Sequence, residues 1–285
     1  MVPITSLQRS HHRGNSSVRS IGIIISTGFM ALMAIYFLIP LVWLAVATTK
    51  NNIQLNNATI FSLPHHLYFL DNLNSTISFD GGIFGRWYLN SAIFSSVTAF
   101  VSCLVSILCG YALSKYRFRL HRVLLICILI SLLIPNSTLT VPIFLVVKSI
   151  GLINTYPGVI IPMIASPFGA YFMKVYIDDA IPDVLLNAAR TDGAGEWRIL
   201  WQIVIPCTLP GSATLFLIAF MGSWNNFFLP LLILNSVQLF PVTLGLQMFP
   251  DKIMGSFLSI FPMMVLFIFL RKVISGGILS GSLKM

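Results

Sequence analysis

The stretch Ile199 to Pro250, ILWQIVIPCTLPGSATLFLIAFMGSWNNFFLPLLILNSVQLFPVTLGLQMFP, runs 52 residues without a charged side chain. How many membrane helices it holds decides the fold. A transmembrane helix needs about 20 mainly apolar residues, because the hydrocarbon core offers backbone N–H and C=O groups no partner outside the helix itself. The stretch has room for one span or two.

Outward from it lie five more charge-free stretches, Ser20 to Thr49, Trp87 to Ser114, Val123 to Val147, Ser149 to Met173 and Ile253 to Leu270. Each has room for a span. If the long stretch holds one, six helices result and both termini share a side. Lysine and arginine then sort by face: Arg9, Arg13, Arg19, Lys115, Arg117, Arg119, Arg122, Lys174, Arg190, Arg198, Arg271, Lys272 and Lys284, 13 of the 17, fall on one side. Only Lys50, Arg86, Lys148 and Lys252 fall on the other. The positive-inside rule makes the first side cytoplasmic. A second span in the long stretch would send the basic C-terminus outside, so the reading is an all-α membrane protein of six transmembrane helices with both termini cytoplasmic.

Composition agrees, with 56% hydrophobic and 9% charged residues against roughly 25% charged in an ordinary soluble domain. The net charge of +9 sits in short segments flanking the spans, where orientation in a lipid membrane accounts for it without nucleic acid. The first apolar run exceeds the roughly 7 to 15 residues of a signal core, so it reads as an uncleaved first helix. The domain plan is a cytoplasmic tail over 1–19, a six-helix transmembrane bundle over 20–276 and a second cytoplasmic tail over 277–285. Residues 178–206 form a polar loop between helices 4 and 5. Lys50 to Arg86, rich in Asn and Ser, is expected to be irregular and interfacial. His65 and His66 lack acidic or Cys partners, and Cys103, Cys109, Cys127 and Cys207 lack ligand spacing, so no metal site is expected. Prolines 40, 135, 142, 162, 167, 230 and 262 within the apolar runs predict kinked helices.

In the polar loop, Pro182 suits the first helical position, Asp183 the positive end of the helix dipole, and Gly193 the left-handed residue that ends a helix. A helix of about three turns follows, with Val184, Leu185, Ala188 and Ala189 at helical spacing. Two readings stay open on these grounds: an ordinary connecting helix on the membrane surface, or a small-faced helix shaped to enter a partner's groove.

Asn187-Ala188-Ala189-Arg190-Thr191-Asp192-Gly193-Ala194, followed by Ile205-Pro206, resembles the EAA motif of binding-protein-dependent ABC importer permeases. That motif reads Glu-Ala-Ala, two residues, Asp-Gly-Ala, then an apolar run ending in a Leu-Pro-like pair. One departure stands out: Asn187 replaces the leading glutamate. Leu89-Asn90-Ser91, Tyr111 to Phe118, Gly151 to Tyr156 and Trp224-Asn225-Asn226 are similar to stretches of the sugar-importer branch, of maltose type. The resemblance implies a permease subunit of the bacterial cytoplasmic membrane that moves a sugar or oligosaccharide; a permease for a non-sugar solute such as a polyamine or phosphate is the alternative. It implies an ABC ATPase dimer, a second permease subunit of different sequence and an extracytoplasmic sugar-binding protein as partners. The docking residues would be Asn187, Ala188, Ala189, Asp192, Gly193 and Ala194. A tail similar to the family's glycine-rich C-terminus spans Gly276 to Lys284. No Gly-x4-Gly-Lys-Ser/Thr phosphate loop is present, so ATP and Mg would bind the partner and this chain would carry no catalytic residue or cofactor. Asn136, Asn225 and Asn226, polar residues inside spans, are candidates for the substrate pathway or for interhelical hydrogen bonding.

Overall fold

The computed structural model describes residues 16–57, 62, 66–249 and 252–282. Most of the N-terminal tail, His65 and the final residues 283–285 lie outside them. All regular structure among the described residues is helical. The chain forms two compact units, residues 1–72 and 73–285.

The first unit holds α1 (Ser16–Ala47), α2 (Asn52–Asn57) and the start of α3 (Phe69–Ser78). Ile24, Phe29 and Phe37 are all exposed on α1, so this helix is apolar on every side, as a lipid-facing helix should be. The Asn72 amide closes the turn behind it, donating to Thr48 O at 2.8 Å and Lys50 O at 2.9 Å. The described residues between Lys50 and Arg86, expected to be irregular, are largely helical. Asn51 acts as a cap: Gln54 N donates to Asn51 Oδ1 at 2.8 Å while Asn51 N donates back to Gln54 Oε1 at 3.3 Å, a reciprocal start for α2.

The second unit is organised around α4 (Ile83–Lys115), a helix of 33 residues. Three successive residues with positive φ, Asp80, Gly81 and Gly82, turn the chain into it. Next come α5 (His121–Ser131), α6 (Asn136–Ser149), α7 (Tyr156–Ile164) and α8 (Pro167–Ala180). Pro135 caps α6, and α5 and α6 meet at 109°. Pro167 opens α8 behind the side-chain cap of Ser166, and α7 and α8 meet at 41°. A residue before proline is biased away from helical geometry, which places both breaks; Pro40, Pro142 and Pro162 remain inside helices.

α8 lies against α4, with Gly169 facing Ser106 and Gly110 facing Met173; Ser95, Thr98, Ser102 and Ser106 form a buried run of small side chains along α4. At Gly110 a Cβ would come within 2.7 Å of both Met173 Cβ and Lys174 N. Such close backbone approach is how membrane helices gain packing energy where lipid removes the hydrophobic drive.

The 52-residue stretch contains one long membrane helix. It runs through α10 (Glu196–Ile199), a π-helical turn at Leu200–Val204 and α11 (Ile205–Trp224). Pro206 has no N–H to give residue 202, so the wider turn precedes it. The rest folds into α12 (Phe228–Ile233) and α13 (Val242–Gly245), too short to span, with Pro241 keeping the chain extended between them. α14 (Ile253–Leu258) and α15 (Phe261–Ser282) complete the chain. Among the described residues, four helical segments are long and apolar enough to cross a membrane, or up to six if each bent pair is one span.

Candidate functional site

Polar structure concentrates at the two ends of α4. At the end carrying Lys115, the loop between α8 and α10 holds α9 (Asp183–Thr191). Pro182 is extended (φ −63°, ψ 142°) and caps α9, one position earlier than the sequence reading placed it. Ile181 before it is also extended, as a residue ahead of proline prefers, so the helix cannot begin sooner.

The apolar stripe also needs correction. Leu186 is the buried residue of α9, at 1% exposure, and with half-buried Ala189 it packs into a cluster with Ile177, Ile181 and Ile199. Val184 is 79% exposed, and Leu185 and Ala188 are exposed too. With five apolar residues among six, either stripe satisfies helical spacing; burial chose the one through Leu186. α9 therefore has an anchored face and a bare one.

Its C-terminus closes in a Schellman arrangement. Gly193 has φ +80°, its N–H donates to Arg190 O at 3.0 Å, and Ala194 N donates to Ala189 O at 3.0 Å. Ala189 and Ala194, the two residues that the wider of these bonds joins, pack on one cluster, the apolar contact that accompanies such caps. Of the six residues of the motif, Asn187, Ala188, Asp192 and Gly193 are exposed and Ala189 and Ala194 half-buried.

Two ties bind α9 to the end of α4. Lys115, whose side chain is 7% exposed, donates to Ile181 O at 2.6 Å and pairs with Asp183 at 2.9 Å. Glu196 accepts Arg190 Nε at 2.8 Å on one oxygen, and the hydroxyls of Tyr111 (3.2 Å) and Tyr116 on the other. Arg190 also reaches Asn187 Oδ1 at 3.2 Å. The hydrogen bond that Arg190 donates to Glu196 raises the Arg190 pKa further, and burial followed by the same carboxylate raises that of Tyr116. Both groups stay proton donors at neutral pH.

At the opposite end of α4, Asn90 is fully buried. Its Nδ2 donates to Gln238 O at 2.8 Å and Phe240 O at 3.0 Å, and its Oδ1 accepts Tyr156 OH at 2.6 Å. Ser91 Oγ accepts Val242 N at 2.7 Å and Trp87 Nε1 donates to Val237 O at 2.7 Å. Asn154, at φ +60°, accepts from Asn235 N and Ser236 N. These contacts pin residues 235–242 onto the bundle. Sequence reading gave Asn90, Asn154 and Tyr156 no role beyond membership of two similar stretches.

Among the described residues, no hydrogen bond joins the side chains of the three pathway candidates to one another. Asn226 caps α12, its Oδ1 accepting Leu229 N at 3.3 Å and its backbone O accepting Thr243 Oγ1 at 2.9 Å. Asn225 and Asn136 are exposed, and among the described residues no hydrogen bond links Asn136 to either of the others.

These features define a multi-pass helical membrane protein with a capped, ion-paired helix at its basic end. Residues 102–278 match the family described as "Binding-protein-dependent transport system inner membrane component", and the chain belongs to that family of transport permease subunits of the cytoplasmic membrane. It is similar to the arabinooligosaccharides transport system permease protein AraQ of Halalkalibacterium halodurans, at 32% identity over 95% of this chain and 99% of the relative. The maltodextrin transport system permease protein MalD of Streptococcus pneumoniae is 30% identical over 86% and 91%. In fold, it matches a chain of a bacterial ABC transporter involved in the import of the acidic polysaccharide alginate, with a TM-score of 0.76, 22% identity and coverage of 95% and 99%.

Proposed function

We propose that this chain is the transmembrane permease subunit of a binding-protein-dependent ABC importer for a sugar or oligosaccharide, driven by ATP hydrolysed on a separate ATPase dimer. The observation that carries the coupling part is α9. Its bare face presents Asn187, Ala188, Asp192 and Gly193 to a partner, while Leu186, Lys115 and Glu196 fasten its other side to the central helix. A helix held in this way can carry a push from the ATPase into the bundle as a shift between two arrangements. The oligosaccharide systems of its relatives support the substrate class. The basic end is then cytoplasmic, with both termini, and a second permease subunit and an extracytoplasmic sugar-binding protein complete the assembly. Asn225 and Asn136 are exposed polar groups suited to the solute's path, whereas Asn226 serves its own helix.

The test is to purify the chain with its ATPase, companion permease and binding protein, and to measure ATP-dependent uptake into proteoliposomes. Labelled arabino-oligosaccharide or maltodextrin should accumulate. Uptake of a polyamine or phosphate in their place would favour the alternative, and absence of a co-purifying ATPase would overturn the reading.

A further inference from the structure

Asn187 stands where the family motif carries glutamate, and its neighbour Arg190 turns away from it toward Glu196. The Arg190 Nε and NH2 groups both face the Glu196 carboxylate, at 2.8 and 3.5 Å, and only NH1 meets Asn187. The same carboxylate gathers Tyr111 and Tyr116 from the end of α4. One acidic side chain, six residues beyond Arg190, thus joins the C-terminal end of α9 to the central helix.

We propose that Glu196 is a positioning residue for energy coupling: it latches the C-terminal end of α9 to α4 through Arg190, Tyr111 and Tyr116, so that α9 moves with α4 as one lever. The inference rests on the function proposed above. Leu186 and Lys115 hold the start and middle of α9 independently. Without the latch, α9 stays attached and keeps its bare face, but it can pivot about that hold and waste part of the stroke. The neutral amide at Asn187 suits this arrangement, because a carboxylate there would compete with Glu196 for the guanidinium. Arg190 and Glu196 are 37% and 49% exposed in their side chains, and ion pairs so exposed contribute little to stability. A large effect on coupling therefore would not arise from loss of fold.

The complete assembly in proteoliposomes, with labelled arabino-oligosaccharide, gives the readout as solute moved per ATP hydrolysed, alongside the amount of ATPase co-purified. Glu196→Gln should retain the ATPase and lower the ratio about fivefold. Arg190→Gln should do the same, and the double variant should be no worse than either single, as two members of one link require. A wild-type ratio in both single variants overturns the latch, and so does a double variant that multiplies the two losses. Loss of the ATPase from Glu196→Gln also overturns it, since that result makes Glu196 part of docking itself. Failure of the wild-type assembly to couple uptake to ATP would instead overturn the function on which the latch rests.

Discussion

Replacing Gly193 with valine leaves the chain in the membrane and cuts ATP-driven uptake about tenfold, whereas asparagine at the same position retains most of it. The ordering follows from backbone geometry. Gly193 holds φ +80°, while a Cβ built there meets nothing within 4 Å in this chain. Space is open, so the cost is conformational. A left-handed backbone costs an ordinary residue roughly 1 to 2 kcal/mol, more for a β-branched one, while asparagine visits that region readily. One or two kcal/mol shifts a two-state balance by about 5- to 30-fold, enough to depopulate the Schellman turn that seats Ala194 beside Ala189. Alanine, smaller than asparagine, should fall between the two. Uptake by each variant, normalised to its level in isolated membranes, checks the series. Normal uptake by Gly193→Val would sink the role of α9 in coupling. Equal loss with asparagine and valine would show instead that the partner needs a bare surface at this point.

That helix also shows how far sequence reaches. Its existence, its left-handed stop and its place in the family motif were legible because each rests on a local rule: proline and an acid at the start, glycine at the end, fixed register between. Which apolar residue faced inward was not legible, since Val184, Leu185, Leu186, Ala188 and Ala189 satisfy two overlapping stripes and only the cluster around Ile177 and Ile199 selects Leu186. The same limit applied to the 52-residue stretch. Charge placement correctly argued against a second full span. It gave no sign that the second half pairs with Trp87, Asn90, Ser91 and Asn154, because those partners lie up to 151 residues away. Asparagine misled in opposite ways on the two sides of α4. In the Lys50 to Arg86 segment it suggested irregular chain where it caps a helix at Asn51. In the spans it drew attention to Asn226, a cap for α12, while buried Asn90 passed without a role.

Asn90→Leu should be the most destabilising single change at the far end of α4. Leucine matches asparagine roughly in volume, so the site stays filled while its hydrogen bonds vanish. Two groups are then stranded: the Phe240 carbonyl loses its donor and the Tyr156 hydroxyl its acceptor, while the Gln238 carbonyl keeps Arg86 Nε at 3.0 Å. Each buried polar group left unpaired costs about 1 to 3 kcal/mol. For a chain of this size roughly 1 kcal/mol corresponds to about 2 to 4 °C in melting temperature, so a fall on the order of 10 °C is expected for the detergent-solubilised protein. Asn90→Asp separates the two halves of the network. A carboxylate still accepts from Tyr156 but turns oxygen toward two carbonyl oxygens, so it should fall nearly as far as leucine at neutral pH. Tyr156→Phe leaves both carbonyls satisfied by Asn90 and strands only Asn90 Oδ1, so its melting temperature should drop by about half as much. If leucine melts with the wild type, residues 235–242 are held by Trp87, Ser91 and Asn154 alone. If tyrosine and asparagine substitutions cost the same, the network owes its strength to the Asn90–Tyr156 bond between α4 and α7 rather than to the bonds Asn90 gives residues 238 and 240.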